Sequence, residues 1–175
     1  MNHELRTNFA IIMPAYNEAG RISSTITGIR KFTDADIIVV NDGSDDDTAS
    51  EARKAGVVVI ELSSNLSYGA ALQTGFKYAL DRGYEFAVQM DADGQHDPMS
   101  IKTLIEPVIA DEVDVTIGSR FMDKGNYKAP FVRRMGMYFF GLIASLFTGR
   151  KITDPTSGFQ ALNKKVMEFY ASDAY

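Results

Sequence analysis

The sequence predicts an α/β fold, a single Rossmann-like and mainly parallel sheet flanked by helices, and three observations predict it. Short apolar runs alternate with amphipathic segments, the pattern of strands joined by crossover helices. The chain has 175 residues, enough for one domain with a substantial core. Polar clusters directly follow three of the apolar runs, and open α/β sheets bind ligands beyond the carboxyl ends of their strands.

The first buried run, FAIIM at 9–13, leads into a helical segment over 18–31, where Ile22, Ile26 and Ile29 make one apolar stripe. DIIVV at 36–40 is a second strand. Acidic residues at 45–47 suit the positive end of the next helix, which Gly56 stops. Residues 57–62 form a third strand. A helix over 69–81 follows, with Leu72, Phe76, Ala79 and Leu80 on one side and Gly83 after its end. A fourth strand at 86–90 runs straight into Asp91. Pro98 fits the first turn of a helix reaching about residue 110, and Pro107 inside it predicts a kink or an early end. Residues 113–118 are a fifth strand. No repeat, low-complexity tract or linker interrupts the chain, so one domain over 1–175 is expected.

Composition narrows the function. Hydrophobic residues make up 45% and charged residues 23%, as in ordinary globular proteins. The net charge of −5 argues against non-specific nucleic-acid binding, which needs clustered positive charge. Without cysteine there are no disulfides or thiolate metal sites, and a cytoplasmic setting is the default. The first six residues lack the apolar core of a signal peptide. Residues 135–147 form an uncharged apolar run of thirteen, too short to span a bilayer. This run reads as a buried core helix or as an interfacial helix on a membrane, where Arg133, Arg134, Arg150 and Lys151 would meet anionic headgroups.

The chemistry concentrates at strand ends. Asp91 and Asp93 flank Ala92, and two such carboxylates repel one another unless a cation neutralises them. Oxygen-only ligands favour Mg²⁺ or Mn²⁺, which could bridge to a diphosphate, and Gln95 is a neutral oxygen donor nearby. Helix capping before Pro98 would also explain the pair. Asp42, ending the second strand, suits ribose or base N–H groups, and Asn41-Asp42-Gly43-Ser44 is equally good turn chemistry. Tyr16 could lie against a base, while Glu18 suits either a ligand or a first helical turn. Gly69 opens a helix with free backbone N–H groups, or serves close packing. Arg120 suits a phosphate, and the Arg133–Arg134 pair is either a second anion site or solvated charge. His96 reads as structural rather than catalytic. No dinucleotide fingerprint or P-loop is present.

In this order, these residues resemble glycosyltransferase family 2, inverting enzymes of GT-A fold. The resemblance rests on IMPAYNE at 12–18, VVNDGS at 39–44, residues 65–75, MDADGQH at 90–96 and GSR at 118–120. Within the family the chain looks most like the dolichyl-phosphate mannose synthase and polyprenyl-phosphate glycosyltransferase branch, through Gln95, Arg120, Arg133, Arg134 and DPTSGF at 154–159. The resemblance implies a nucleoside-diphosphate sugar donor, UDP- or GDP-linked, and inverting transfer to a polyprenyl phosphate at the cytoplasmic membrane face. Pro14, Ala15, Tyr16, Glu18, Asp42 and Gly69 would contact the nucleotide, and Asp91, Ala92, Asp93 and Gln95 the metal and diphosphate. Arg120 with Arg133 or Arg134 would receive the acceptor phosphate. An acceptor hydroxyl, as in polysaccharide assembly, would instead need a carboxylate base, and Asp154 is the late candidate. A nucleotide-sugar binding module without turnover is the non-enzymatic alternative. Family members usually continue beyond this chain's last residue, so a catalytic domain lacking the family's C-terminal portion is expected. The oligomeric state is left open.

Overall fold

The computed structural model describes residues 8–118 and 157–172. Arg120, Arg133, Arg134, Asp154 and the apolar run at 135–147 lie outside the described residues. Six strands form one mixed sheet: β1 (Phe9–Ala15), β2 (Asp36–Asn41), β3 (Val58–Glu61), β4 (Phe86–Gln89), β5 (Val115–Ile117) and β6 (Gln160–Asn163). Their spatial order is β3-β2-β1-β4-β6-β5. β1 pairs in parallel with β2 and β4, and β2 with β3. β6 runs antiparallel to both β4 and β5. Five strands therefore share one direction, and β6 alone is reversed.

Strand alternation sends side chains to two faces. Ile11, Met13, Ile37, Val39 and Val88 meet α1 (Ile22–Ile29), α2 (Thr48–Lys54) and α4 (Ser100–Ile109) on one side. Ile12, Ile38, Val40 and Leu162 meet α3 (Tyr68–Asp81) and α5 (Lys164–Ala171) on the other. The predicted stripe of Ile22, Ile26 and Ile29 is fully buried. Gly75 lets α3 lie close on the sheet, since a Cβ there would stand 2.3 Å from Ile12 Cγ2.

The structure differs from the sequence reading in a few places. The first helix begins at Ile22 rather than near Glu18, because Asn17 (φ 55°) and Gly20 (φ 80°) break the helical path. The amides of that loop are bonded elsewhere, as described below. Pro107 does not end α4 early. It sits in the last turn, two residues before the helix stops at Ile109. The stop is a left-handed Asp111 (φ 58°), with the Glu112 amide donating back to Pro107 O at 3.0 Å. Strand β6 and helix α5 were not anticipated.

Candidate active site

The parallel strands β1, β2 and β4 end at the same edge of the sheet, and each hands its chain to a polar loop. The Asp42 amide donates to Ala15 O at 2.9 Å, which carries the β1–β2 pairing past the strands. The Met90 amide donates to Ile12 O at 3.0 Å and delivers Asp91 beside β1. A cavity of about 340 Å³ opens there, lined by Pro14, Ala15, Tyr16, Glu18, Asp42, Asn65, Tyr68, Ala71, Asp91, Ala92 and Asp93.

The loop after β1 is tied to the segment after β2, residue by residue. Asn17 N donates to Ser44 Oγ at 3.0 Å, and Glu18 N to Thr48 Oγ1 at 2.8 Å. Ala19 N donates to Asp46 Oδ2 at 3.1 Å, and Gly20 N to Glu51 Oε2 at 2.8 Å. The acidic run at 45–47, read from sequence as dipole compensation, thus supplies a loop acceptor through Asp46. Its carboxyl is held below the usual range, chiefly by the Thr48 hydroxyl and then by backbone amides. These bonds present Glu18 at the cavity. Burial pushes the Glu18 carboxyl up, Arg21 pulls it down, and Asp93, Asp46 and Asp91 add to the rise. Arg21 Nε stands 3.0 Å from Glu18 Oε2, an ion pair without hydrogen-bond alignment.

Asp42 is almost fully buried and plays a part that sequence alone did not show. Its Oδ1 accepts the Leu66 amide at 2.7 Å and its Oδ2 the Ser67 amide at 3.0 Å. A carboxylate oxygen can accept more than one bond, so Asp42 both ties this loop and lines the cavity. The backbone passes so close that a Cβ on Gly43 would lie 2.4 Å from Ser64 C. Gly43 itself has φ 67°, so a glycine is required there twice over. Ser67 holds φ 95° just before α3, a strained conformation outside glycine. Tyr68 follows as the first residue of α3.

Asp91 and Asp93 stand at the far end of the cavity. Thr25 of α1 donates to Ala92 O at 3.1 Å and secures the loop between them. Asp91 Oδ1 accepts from Tyr68 Oη at 2.7 Å, and Asp91 Oδ2 lies 3.0 Å from His96 Nε2. Asp93 Oδ1 accepts the Gln95 amide at 2.9 Å. The His96 ring is buried and stacks on Phe159, with centroids 5.1 Å apart. Gly158 approaches so closely that a Cβ would meet Asp91 Oδ2 at 2.9 Å and Tyr68 Oη at 2.7 Å.

The structure therefore gathers eight of the sequence candidates at one cavity: Pro14, Ala15, Tyr16, Glu18, Asp42, Asp91, Ala92 and Asp93. Gly69 and Gln95 are not among its lining residues, and Gln95 is exposed. The amide of Ala71, in the first turn of α3, is taken by Ser67 O, so that part of the helix start is not an open donor. His96 is a buried partner of Asp91. Asn65 and Tyr68, inside the 65–75 segment, were not singled out as lining residues. Tyr68 lies 23 residues from its partner, and nothing local in the sequence marks it.

Among the described residues, no three His, Asp or Glu side chains converge on one point. The oxygen donors that could serve a divalent cation are the carboxylates of Asp91 and Asp93. That donor set fits Mg²⁺ or Mn²⁺, which commonly bind through one or two carboxylates with substrate phosphates and water completing the shell. Also among the described residues, no helix is long and apolar enough to cross a membrane.

The family model "Glycosyl transferase family 2" matches residues 10–170. The UDP-N-acetylglucosamine–dolichyl-phosphate N-acetylglucosaminyltransferase of Methanococcus voltae is 31% identical over 90% of this chain and 70% of its own. The undecaprenyl-phosphate mannosyltransferase of Micrococcus luteus is 32% identical over 93% of this chain and 69% of its own. The dolichol-phosphate mannosyltransferase of Pyrococcus furiosus is 38% identical over 91% of this chain, which spans 47% of that protein. Glucosyl-3-phosphoglycerate synthase from Mycobacterium tuberculosis, solved with Mn²⁺, uridine-diphosphate-glucose and phosphoglyceric acid, shares the fold at a TM-score of 0.70 and 23% identity. That match covers 91% of this chain and 58% of the solved one.

Proposed function

The chain belongs to glycosyl transferase family 2 and is a glycosyltransferase of GT-A fold; from that premise we propose that it moves a sugar from a nucleoside-diphosphate sugar to a polyprenyl phosphate, with inversion and metal assistance. The observation that carries the donor half is the cavity itself, where three parallel strand ends bring Tyr16, Asp42, Asp91 and Asp93 together. Pro14, Ala15, Tyr16, Glu18 and Asp42 make its nucleoside side. Asp91, Ala92 and Asp93 make its diphosphate side.

Asp91 and Asp93 would hold the divalent cation, which supplies charge neutralisation for the departing nucleoside diphosphate. The chain's own contribution is positioning. Side-chain acceptors in residues 44–51 hold the backbone around Glu18, and the Asp42 carboxylate fixes the loop before α3. Both donor halves are thus largely preset, which lowers the cost of ordering them on binding.

The acceptor half rests on the acceptors that the relatives' names give, dolichyl and undecaprenyl phosphates. Arg120, Arg133 and Arg134 are assigned to the acceptor phosphate from sequence. A phosphate monoester is already anionic, so attack on the anomeric carbon needs no general base, and Asp154 would be dispensable as one. Such an acceptor brings the protein to a membrane surface, on its cytoplasmic side. The test is an acceptor panel: the chain is given UDP- and GDP-sugars with polyprenyl phosphates in one series and oligosaccharides in another. Transfer to the lipid phosphate, lost in Arg133→Ala with Arg134→Ala, is expected. Transfer confined to oligosaccharides would instead establish a hydroxyl acceptor.

A further inference from the structure

Asp91 and Asp93 are held in different ways. Asp93 accepts the amide of Gln95 in its own turn. Asp91 is gripped at both oxygens, by Tyr68 from α3 and by His96 from further along its own loop. Each of these partners is itself fixed. Gln89, buried on β4, donates through Nε2 to Tyr68 Oη at 3.0 Å, which leaves the phenolic proton for Asp91. The buried imidazole of His96 lies flat on Phe159, which the reversed strand β6 brings to this edge. Gly158 closes the arrangement, because its missing side chain makes room for the Asp91 carboxylate and the Tyr68 hydroxyl together.

We propose that Tyr68 and His96 are positioning residues that lock the Asp91 carboxylate into one orientation before any ligand arrives, with Gln89 and Phe159 holding them in turn. Asp91 is then a preset ligand, and Asp93 is the one that adjusts. The inference rests on the reading of Asp91 as part of the metal and diphosphate site. Partners that orient a metal-binding carboxylate typically change metal affinity 10–100-fold when removed. They act by restricting the ligand's conformations, not by touching the metal.

The experiment measures Mn²⁺ affinity of the full chain by electron paramagnetic resonance, in the presence of UDP and, separately, GDP. Tyr68→Phe removes one hydroxyl and keeps its ring. His96→Phe removes the nitrogen and keeps an aromatic ring against Phe159, while His96→Gln keeps an N–H donor. Tyr68→Phe and His96→Phe should each weaken Mn²⁺ binding about 10-fold, and His96→Gln should recover part of the loss. Wild-type Mn²⁺ affinity in folded Tyr68→Phe overturns the proposal, whatever its melting temperature, because a purely structural role would move only the latter. If His96→Phe does not fold, Tyr68→Phe decides alone. A wild-type chain that binds no Mn²⁺ with either nucleotide overturns the underlying metal reading, and the inference with it.

Discussion

The same substitution at two helical glycines should change stability in opposite directions. Gly75 lies in α3, where a Cβ would stand 2.3 Å from Ile12 Cγ2 and 3.3 Å from Val40 Cγ2. Ile12 is fully buried and its neighbours leave it nowhere to go. Carbon atoms prefer about 3.5–4.0 Å, so α3 or the β1 side chain must move by more than an ångström. Overpacking of that kind costs about 1–3 kcal/mol. Replacing glycine by alanine inside a helix returns up to about 1 kcal/mol, so Gly75→Ala should be destabilising by about 1 kcal/mol. Gly28 lies in α1, where a Cβ would find Pro98 Cγ at an ordinary 3.8 Å. Gly28→Ala has no overpacking to offset and should gain several tenths to about 1 kcal/mol. Urea unfolding of both variants measures the difference, which should match the overpacking cost. A Gly75→Ala variant as stable as Gly28→Ala would refute the packing of α3 on the sheet. Because α3 begins at Tyr68, Gly75→Ala should also weaken nucleotide binding, whereas Gly28→Ala should not.

Three further outcomes follow from the site's scaffold. Asp42→Ala removes the buried carboxylate that accepts the Leu66 and Ser67 amides, and loss of charge-assisted bonds of this kind costs about 1.5–3 kcal/mol; urea midpoints and nucleotide titrations should both fall. Ser67→Gly should raise stability by about 1 kcal/mol in the same melts, because it relieves the strained φ of 95° and removes no side-chain cap. Tyr84 donates to Asp36 Oδ2 at 2.7 Å, and burial, then the Asp36 bond and charge, push its phenol up to about 12. The unfolded phenol ionises near 10. Its contribution to stability is therefore complete below about pH 10 and disappears as pH rises to about 12. Tyr84→Phe should flatten the stability profile across that window, as read by denaturant melts at stepped pH.

The parallel half of the fold was legible because each of its central strands is a dense apolar run bounded by polar residues. AII at 10–12 and IIVV at 37–40 are buried on both faces, so burial is written directly into composition. Strand β6 carries no such mark. Its four residues, QALN, have only two apolar members, and its place between β4 and β5 depends on pairings that no local pattern encodes. Helix α5 buries only Met167 in full, with Val166, Tyr170 and Ala171 partly buried against the core. The site divides in the same way. Asp42, Asp91 and Asp93 were visible because they terminate strands. The grip on Asp91 was not, since Tyr68 and Phe159 come from a helix start and a reversed strand far away in sequence. Asp42 was read as a ligand or a turn residue, whereas its buried carboxylate serves a loop more than twenty residues away.

In the proposed function Asp91 and Asp93 form the metal and diphosphate end of a nucleotide-sugar site. Thermal unfolding with UDP- and GDP-sugars, with and without Mn²⁺, tests it most directly. A ligand present at about 100 times its dissociation constant stabilises the native state by ~2.7 kcal/mol. For a chain of this size that corresponds to a rise of roughly 5–10 °C. Such a rise is expected with one nucleotide sugar, dependent on Mn²⁺ and absent when Asp91→Ala and Asp93→Ala are combined. An equal rise without the metal, or one that survives the double substitution, would contradict it.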